Sequence, residues 1–187
     1  MITIIISGKS GSGKDTLANA FQTQLEKNGN KTLVIHFADL VKFYALIYYK
    51  WNGEKNEAGR ALLQNIGTEM MRKYDEDYWA EIVAKFIDAA YCDFDVALIP
   101  DWRFINEYER ICDYNKDVYS VRVERYNEDG TSYINPNMTP AQRSHVSETE
   151  LDKFVFDYIV ENRGGLEDLE DSADLIIEDI MKDLMKE

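Results

Sequence analysis

A glycine-rich stretch near the start of the chain has the residue types and the spacing that hold phosphate groups. Residues 8–14 read GKSGSGK, which matches the pattern G-x-x-x-x-G-K, and they lie between an apolar run and an amphipathic pattern. The glycines allow successive backbone N–H groups to point inward, the following helix adds partial positive charge, and Lys14 can reach the β- and γ-phosphates of a nucleotide. A glycine-rich turn without a ligand is the alternative, but a loop between a strand and a helix favours phosphate binding. The residues expected to bind the nucleotide are Ser10, Gly11, Ser12, Gly13, Lys14, Asp15 and Thr16.

Asp15 stands where most phosphate-binding loops carry a serine or threonine that ligates Mg²⁺ directly. Because Mg²⁺ keeps several of its water ligands, we expect Asp15 to hold the ion through water while Thr16 bonds the α-phosphate. Alternatively, Asp15 is only a first-turn acid that favours the helix N-terminus. Asp101, at the end of an apolar run, is the second carboxylate expected to hold Mg²⁺ through water. The chain contains no guanine-reading N-K-x-D element, so the sequence predicts ATP as a phosphoryl donor rather than a switch ligand.

Polar residues follow three of the expected strands, at the positions where open α/β sheets bind ligands. Phosphoryl transfer needs mainly positioning and cations aimed at the charge of the transferred group, which arginines near strand ends supply. Arg103 and Glu107 also have the i,i+4 spacing of an ordinary surface ion pair, which is the alternative for them. His145 stands alone and is expected to pack within a loop. The polar residues in question are Asp39, Lys42, Asp101, Arg103, Glu107, Arg122, Arg125, Arg143 and His145.

The composition limits the partners of the chain. Its 187 residues suffice for one α/β domain, with 45% hydrophobic and 12% aromatic residues and three prolines. A net charge of −14 repels a nucleic-acid backbone, although a local cluster of N–H groups and cations can still bind a small anion. The apolar run at residues 2–6 is too short for a signal peptide or a membrane span. Cys92 and Cys112 lack metal-ligand spacing, so we expect a reducing cytoplasm, with a disulfide between them as the alternative.

Short runs rich in β-branched or aromatic residues predict five strands, at residues 3–7, 32–36, 96–99, 118–123 and 156–160. Apolar residues at helical spacing predict helices between and after them. Strands that alternate with helices give a parallel sheet covered on both faces. The predicted fold is therefore α/β, a three-layer P-loop NTPase-like sandwich with a five-stranded parallel sheet flanked by helices. The helical positions are Leu17, Phe21 and Leu25; Leu62, Leu63, Ile66 and Met70; Trp79, Ile82, Val83 and Phe86; and Ile176, Ile177, Ile180 and Leu184.

Residues 126–145 hold two of the three prolines and show little apolar periodicity, which predicts a long surface loop. A loop of this length within a compact domain is usually functional. We therefore expect residues 125–147 to form a lid that is inserted into a single domain, residues 1–187.

Four segments of the chain, in this order, resemble the deoxynucleoside monophosphate kinases of tailed phages, within the nucleoside monophosphate kinase group. They are SGKSGSGKDT in the phosphate loop, RALLQNIGTEMMRKYDEDYWAEIV in the acceptor-side helices, ALIPDWRFINEYE at a strand end, and RSHVSETELDKFVFDYIVENRGGLEDL from the lid to the last strand. Many enzymes share a phosphate loop, so the ordered set of motifs carries the resemblance. The family implies transfer of the γ-phosphoryl group of Mg-ATP to a (deoxy)nucleoside monophosphate. The connection at residues 43–59 is short beside that of the phage enzymes, and it helps to shape the acceptor site.

The resemblance also implies roles for individual residues. A buried tryptophan is more often a core residue than a ligand contact. The resemblance nevertheless implies that Trp79 contacts the acceptor base. Asp101 and Arg103 are implied to lie near the reacting phosphates, and Arg143 or Arg125 to close over them from the lid. With the strand-end residue Asp39 included, the residues expected to bind the acceptor are Asp39, Lys42, Arg60, Gly67, Thr68, Trp79 and Arg103. Those expected to act in catalysis are Lys14, Asp101, Arg103, Arg125 and Arg143.

Two other functions remain open from the sequence. A kinase of another phosphorylated small molecule, similar to dephospho-coenzyme A kinase, would use the same fold with a different acceptor. A non-catalytic ATP-binding sensor would keep the phosphate loop without the acceptor site or the lid arginines. The expected partner is a small nucleotide rather than a nucleic acid or a membrane, and a homodimer is open by family analogy.

Overall fold

The computed structural model describes residues 1–186, and these contain one five-stranded sheet. The strands are β1 (Ile2–Gly8), β2 (Thr32–Val34), β3 (Val96–Trp102), β4 (Val118–Arg125) and β5 (Tyr158–Asn162). Neighbouring strands run parallel, in the order β2-β3-β1-β4-β5. The prediction of a five-stranded parallel sheet is therefore confirmed. Because β1 is the central strand, the glycine-rich loop that follows it starts from the middle of the sheet's carboxyl edge.

Within residues 1–186, eight α-helices connect and cover the strands. They are α1 (Lys14–Lys27), α2 (Ala38–Tyr49), α3 (Glu57–Gln64), α4 (Tyr78–Ala89), α5 (Ile105–Tyr114), α6 (Pro140–Arg143), α7 (Val146–Thr149) and α8 (Leu166–Leu184). A π-helix at Asn65–Met70 continues α3, and a 3₁₀-helix at Glu150–Lys153 continues α7.

Helices pack on both faces of the sheet because alternate strand residues point to opposite faces. Ile4 and Ile6 of β1 lie in a core with residues of α1 and α8, whereas Ile5 lies in a second core with residues of α4 and α5. A third, smaller apolar cluster surrounds Trp79 and includes residues of α2 and the π-helix. The predicted three-layer arrangement is confirmed, and the third cluster holds α2 and the π-helix against α4.

Several strand boundaries differ from the prediction. β3 continues through Trp102, because the side chain of that residue is fully buried in the second core. β2 ends two residues early, since the Asp101 carboxylate accepts hydrogen bonds from the backbone N–H groups of Phe37 and Ala38 at 2.9 Å each and so starts α2. β4 runs two residues further than predicted, and β5 lies two residues later.

The sequence patterns missed α2 and α5 and placed one helix where the chain forms two segments. α2 contains the continuous apolar run FYALIYY at residues 43–49, which hides the helical period. The helical positions 62–70 divide between α3 and the π-helix. The predicted surface loop at residues 126–145 contains α6, which Thr139 caps by accepting a hydrogen bond from the Gln142 N–H group at 3.3 Å.

Cys92 and Cys112 are both exposed free thiols, so the alternative of a disulfide between them is wrong. No helix in the described part of the chain is long and apolar enough to cross a membrane.

Candidate active site

The glycine-rich loop between β1 and α1 is held in a conformation that requires glycine. Gly11 and Gly13 have φ angles of 79° and 105°, in the left-handed region that side chains with a Cβ rarely adopt. A Cβ on Gly13 would lie 2.6 Å from the Asn162 side-chain amide. That amide donates a hydrogen bond to the Ser12 carbonyl at 2.7 Å, so the end of β5 fixes the shape of the loop.

Lys14 begins α1, and its side chain turns back over the loop. The ammonium group donates hydrogen bonds to the carbonyls of Gly8 at 2.8 Å and Lys9 at 3.1 Å. The residue is buried, and this burial, with the nearby positive charge of Arg103, lowers its pKa to about 7. Because this pKa lies near neutral pH, an anion that approaches the loop would favour the protonated, positively charged form of Lys14.

Two carboxylates lie near the loop, and their role in holding Mg²⁺ through water stays a prediction. Asp15 is exposed in the first turn of α1, with Thr16 exposed beside it. Asp101 uses each carboxylate oxygen once to cap α2, and each oxygen keeps a second lone pair for a water molecule. The described residues include no cluster of three or more metal-ligating side chains. This donor set fits a hydrated Mg²⁺ held mainly by phosphate oxygens and water, and it does not fit a metal held in an all-protein cage.

A cavity of about 260 Å³ opens beside the loop, between β3, α2, α3 and the π-helix. It brings together residues that are far apart in the sequence. The residues predicted from sequence that line it are Ser10, Arg60, Gly67, Thr68, Trp79, Asp101 and Arg103. The phosphate loop and α3 therefore contribute residues to the same cavity.

Trp79 belongs both to an apolar core cluster and to the wall of this cavity. Its side chain is 2% exposed, and its indole N–H group donates a hydrogen bond to the Gly67 carbonyl at 3.1 Å. The rings of Tyr44 and Tyr78 contact the indole edge-to-face. Trp79 is thus a core residue that also lines the cavity, and its contact with the acceptor base stays a prediction.

Arg72 and Glu107 form a buried ion pair in the cavity wall. The Arg72 guanidinium lies 3.9 Å from the ring centre of Phe104. The Glu107 carboxylate also accepts hydrogen bonds from the backbone N–H groups of Arg103 at 2.8 Å and Phe104 at 3.0 Å. Glu107 is 2% exposed, and burial raises its pKa to about 7. The alternative of a surface pair between Arg103 and Glu107 is therefore wrong: Glu107 positions the backbone of Arg103 and pairs with Arg72.

Glu148, the third residue of α7, contacts the phosphate loop although it lies 138 residues from Ser10 in the sequence. Its carboxylate accepts hydrogen bonds from the Arg103 guanidinium at 2.6 Å and from the Ser10 backbone N–H group at 3.0 Å. Neither Arg72 nor Glu148 was among the residues expected from the sequence. Both residues lie in segments that carry the family resemblance, Arg72 in RALLQNIGTEMMRKYDEDYWAEIV and Glu148 in RSHVSETELDKFVFDYIVENRGGLEDL.

Arg125 touches the loop but lies away from this cavity. Its guanidinium donates a hydrogen bond to the Gly11 carbonyl at 3.0 Å and lies 4.2 Å from the ring centre of Tyr133. It lines a second cavity of about 160 Å³ between the loop and the end of β4. Segment 126–137 also covers the loop through Asn135, whose side-chain amide donates a hydrogen bond to the Ser10 hydroxyl at 3.0 Å.

The remaining expected residues do not line the large cavity. Asp39 and Lys42 form an ion pair of 2.9 Å on the first turn of α2, and neither lines the large cavity. Arg143 is exposed on α6. His145 caps α7, because its Nδ1 atom accepts a hydrogen bond from the Ser147 N–H group at 3.2 Å.

The parallel sheet, the glycine-rich loop and the cavity beside it define a P-loop kinase fold, and solved kinase structures share it. APS kinase CysC from Mycobacterium tuberculosis in complex with AMPPNP and APS aligns over 97% of both chains with a TM-score of 0.53 and 13% identity. A gluconokinase from Sinorhizobium meliloti 1021 aligns over 98% of this chain and 95% of that chain, with a TM-score of 0.54 and 12% identity. Shikimate kinase from Acinetobacter baumannii, in complex with shikimate, aligns over 98% and 94%, with a TM-score of 0.51 and 16% identity. At these identities the likeness concerns the fold.

Residues 22–173 match the family described as deoxynucleotide monophosphate kinase, and the chain belongs to this family. The family is thus one of nucleotide kinases. A curated relative, the replicative helicase loader DnaC of Buchnera aphidicola subsp. Baizongia pistaciae (strain Bp), is 36% identical over 76 residues. That match covers 41% of this chain and 30% of the relative, so the chain spans less than a third of that protein's length.

Proposed function

We propose that this protein transfers the γ-phosphoryl group of Mg-ATP to a (deoxy)nucleoside monophosphate and so produces the diphosphate. One observation carries the proposal: a cavity with an aromatic wall at Trp79 opens onto the phosphate loop, and Ser10 and Arg103 stand where the two meet. A nucleotide whose base lies against the tryptophan would direct its phosphate toward the loop. Membership of the deoxynucleotide monophosphate kinase family supports a nucleotide as the acceptor.

ATP is the proposed donor because the loop offers inward N–H groups, the N-terminus of α1 and the Lys14 ammonium to a polyphosphate. The related APS kinase fold was solved with AMPPNP, which supports the same use of the loop. Asp15 and Asp101 would hold hydrated Mg²⁺, and the ion would neutralise charge on the donor phosphates. Thr16 would bond the α-phosphate.

Transfer needs no general base, since the phosphate of a nucleoside monophosphate is already anionic at neutral pH. An oxygen of the acceptor phosphate forms a bond to the γ-phosphorus, the bond from that phosphorus to the β–γ bridging oxygen breaks, and ADP leaves with the electron pair. Lys14 and Arg103 would balance the charge spread over the transferred group. Arg125 and Arg143 are the proposed lid cations, and lid closure would exclude water so that ATP is not hydrolysed.

The acceptor is proposed to contact Trp79 with its base and the loop end of the cavity with its phosphate. Gly67, Thr68 and Arg60 also line the cavity, and the buried Arg72 in its wall is paired with Glu107. A phosphate oxygen approaching the loop end would meet the Arg103 guanidinium, whose paired donors suit phosphate recognition.

The test is a coupled assay of the purified protein with Mg-ATP against a panel of ribo- and deoxynucleoside monophosphates. Lys14→Ala is the matched control for contaminating kinases. Diphosphate formation that the variant loses supports the proposal and identifies the base. ATP binding without diphosphate from any nucleoside monophosphate would contradict it and point to another phosphorylated small molecule as the acceptor.

A second measurement concerns Trp79 alone. In a Trp51→Phe/Trp102→Phe background, Trp79 is the single tryptophan, since the chain has three. Saturable quenching of its fluorescence by a nucleoside monophosphate would support a base beside the indole. Quenching that also occurs with inorganic phosphate would show that the signal does not report the base.

A further inference from the structure

The carboxylate of Glu148 is bound by two groups that are also suited to a phosphate. One oxygen accepts a hydrogen bond from the Ser10 N–H group at 3.0 Å, and the other accepts one from the Arg103 guanidinium at 2.6 Å. The Glu148 side chain is 8% exposed. Loop amides and guanidinium groups are the donors that proteins use to bind phosphate oxygens. The carboxylate thus lies in an anion site at the junction of the loop and the large cavity.

We propose that Glu148 is a built-in competitor for this anion site, which its carboxylate holds until a substrate phosphate replaces it. The proposal rests on the proposed function, because it assumes that a phosphate of the donor or acceptor reaches the loop at Ser10. A carboxylate and a phosphate repel one another strongly when both are buried. A single N–H group cannot form a strong hydrogen bond to both anions at once. The carboxylate of Glu148 must therefore leave when the phosphate arrives.

The segment that carries Glu148 has other anchors on the same loop, and these do not use the anion site. The Lys9 ammonium donates hydrogen bonds to the Glu148 carbonyl and to the Asp152 carboxylate. Arg122 donates to the same Asp152 carboxylate at 3.2 Å. Loss of the Glu148 side-chain contacts would therefore free the carboxylate, while Lys9 still holds the Glu148 carbonyl and Asp152 still anchors the segment. Substrate binding is in this way coupled to a local rearrangement directly after the lid.

The test measures binding of inorganic tripolyphosphate by calorimetry in EDTA, with the full chain. This probe has neither a base nor an acceptor, so its binding reports the loop and the anion site. Glu148→Gln removes the competing charge, and we expect it to bind the probe at least about tenfold more tightly than the wild type, or about 1.4 kcal/mol. Asp152→Asn is the matched control, because it makes the same change of charge in the same segment without a contact to Ser10 or Arg103. We expect it to change the affinity by less than about threefold.

A second variant guards against misfolding of the first. Glu148→Asp keeps the charge but shortens the side chain by one methylene group, so the carboxylate can no longer reach both donors at their present distances. We expect this variant also to bind tripolyphosphate more tightly than the wild type. Thermal unfolding of each variant shows whether it is folded.

Three results would overturn the proposal. Equal or weaker binding by Glu148→Gln would show that the carboxylate positions Arg103 rather than competing for its site. An equal gain in Asp152→Asn would show a general effect of negative charge near the loop. Binding by neither the wild type nor the variants would show that no anion site exists there. None of these results depends on an acceptor, so failure of the kinase assay and failure of this proposal are distinguishable.

Discussion

The buried lysine of the phosphate loop makes nucleotide binding dependent on pH. Lys14 donates hydrogen bonds to two loop carbonyls, and burial, then the charge of Arg103, lowers its pKa to about 7. A bound polyphosphate would place several negative charges beside the ammonium group, which favours its charged form and returns its pKa toward the ordinary value of 10.5. Binding should therefore take up a proton at pH values between the pKa of the free protein's lysine, about 7, and the higher pKa of the lysine in the complex.

The size of the effect follows from the two pKa values. At pH 8 a lysine with a pKa near 7 is protonated in about one molecule in eleven, so binding should take up about 0.9 proton per site. Between pH 8 and pH 9 the affinity should fall about ninefold, or about 1.3 kcal/mol. The sign follows from the order of the pKa values: the complex has the higher one, so affinity is highest below pH 7 and is lost as the pH rises above it.

Calorimetry of ATP binding in EDTA measures both quantities. Above pH 8 the phosphates are fully ionised, because their second pKa is about 6, so any proton taken up comes to the protein. Repeating the titration in buffers with different ionisation enthalpies gives the number of protons. Lys14→Arg is the matched control, since arginine remains charged, and it should show neither proton uptake nor the ninefold loss. A wild type that binds without proton uptake, or that follows the pH dependence of the arginine variant, would refute the reasoning.

Three further predictions concern the loop and the cavity wall. Gly13→Ala should lower the free energy of unfolding by about 2–4 kcal/mol in urea titrations, because the added Cβ is both strained and overlaps the Asn162 side chain. Gly130→Ala is the control: Gly130 has a φ of 82° with nothing within 4 Å of the added Cβ, so the free energy of unfolding should fall by only about 1–2 kcal/mol. Equal losses in the two variants would contradict the overlap. Arg72→Met leaves Glu107 buried without its partner and should cost about 3–5 kcal/mol at pH 8. The loss should be smaller at pH 5, because Arg72 holds down the pKa of Glu107, which burial raises to about 7, so its removal raises that pKa further and the variant gains more stability than the wild type as Glu107 is protonated. A loss independent of pH would contradict this. Asp15→Ala should raise the Mg²⁺ concentration needed for half-maximal activity, and an unchanged requirement would leave Asp15 as a first-turn acid.

The sequence identified those parts of the site that depend on neighbouring residues. The phosphate loop is a local signal, because its glycines, its lysine and the flanking strand and helix are contiguous. The parallel sheet was also predictable, since five apolar runs alternate with helical patterns. Strand ends were less so: the early end of β2 depends on Asp101, which lies 64 residues away from the Phe37 N–H group that it binds.

The rest of the site depends on contacts that no spacing encodes. Glu148 meets Ser10 across 138 residues, and Arg72 meets Glu107 across 35. From sequence alone, the i,i+4 spacing suggested Arg103 as the partner of Glu107. The folded chain instead uses the N–H group of Arg103, because the guanidinium is directed toward the loop. The spacing thus identified two residues that do interact, but it suggested an ion pair where the structure has a hydrogen bond from the Arg103 backbone N–H group.

Arg103 links the two halves of the site because it is held at two points of different kinds. Its backbone N–H group donates a hydrogen bond to Glu107, a buried residue of the cavity wall. A ligand does not replace this carboxylate. Its guanidinium is bound by Glu148, a carboxylate that a phosphate can replace. The backbone anchor therefore keeps the position of Arg103 while its side chain changes partner. If Glu148 departs only when a phosphate arrives, the guanidinium is never left without an anion, and the positive charge needed for transfer is available at the loop only in the presence of substrate.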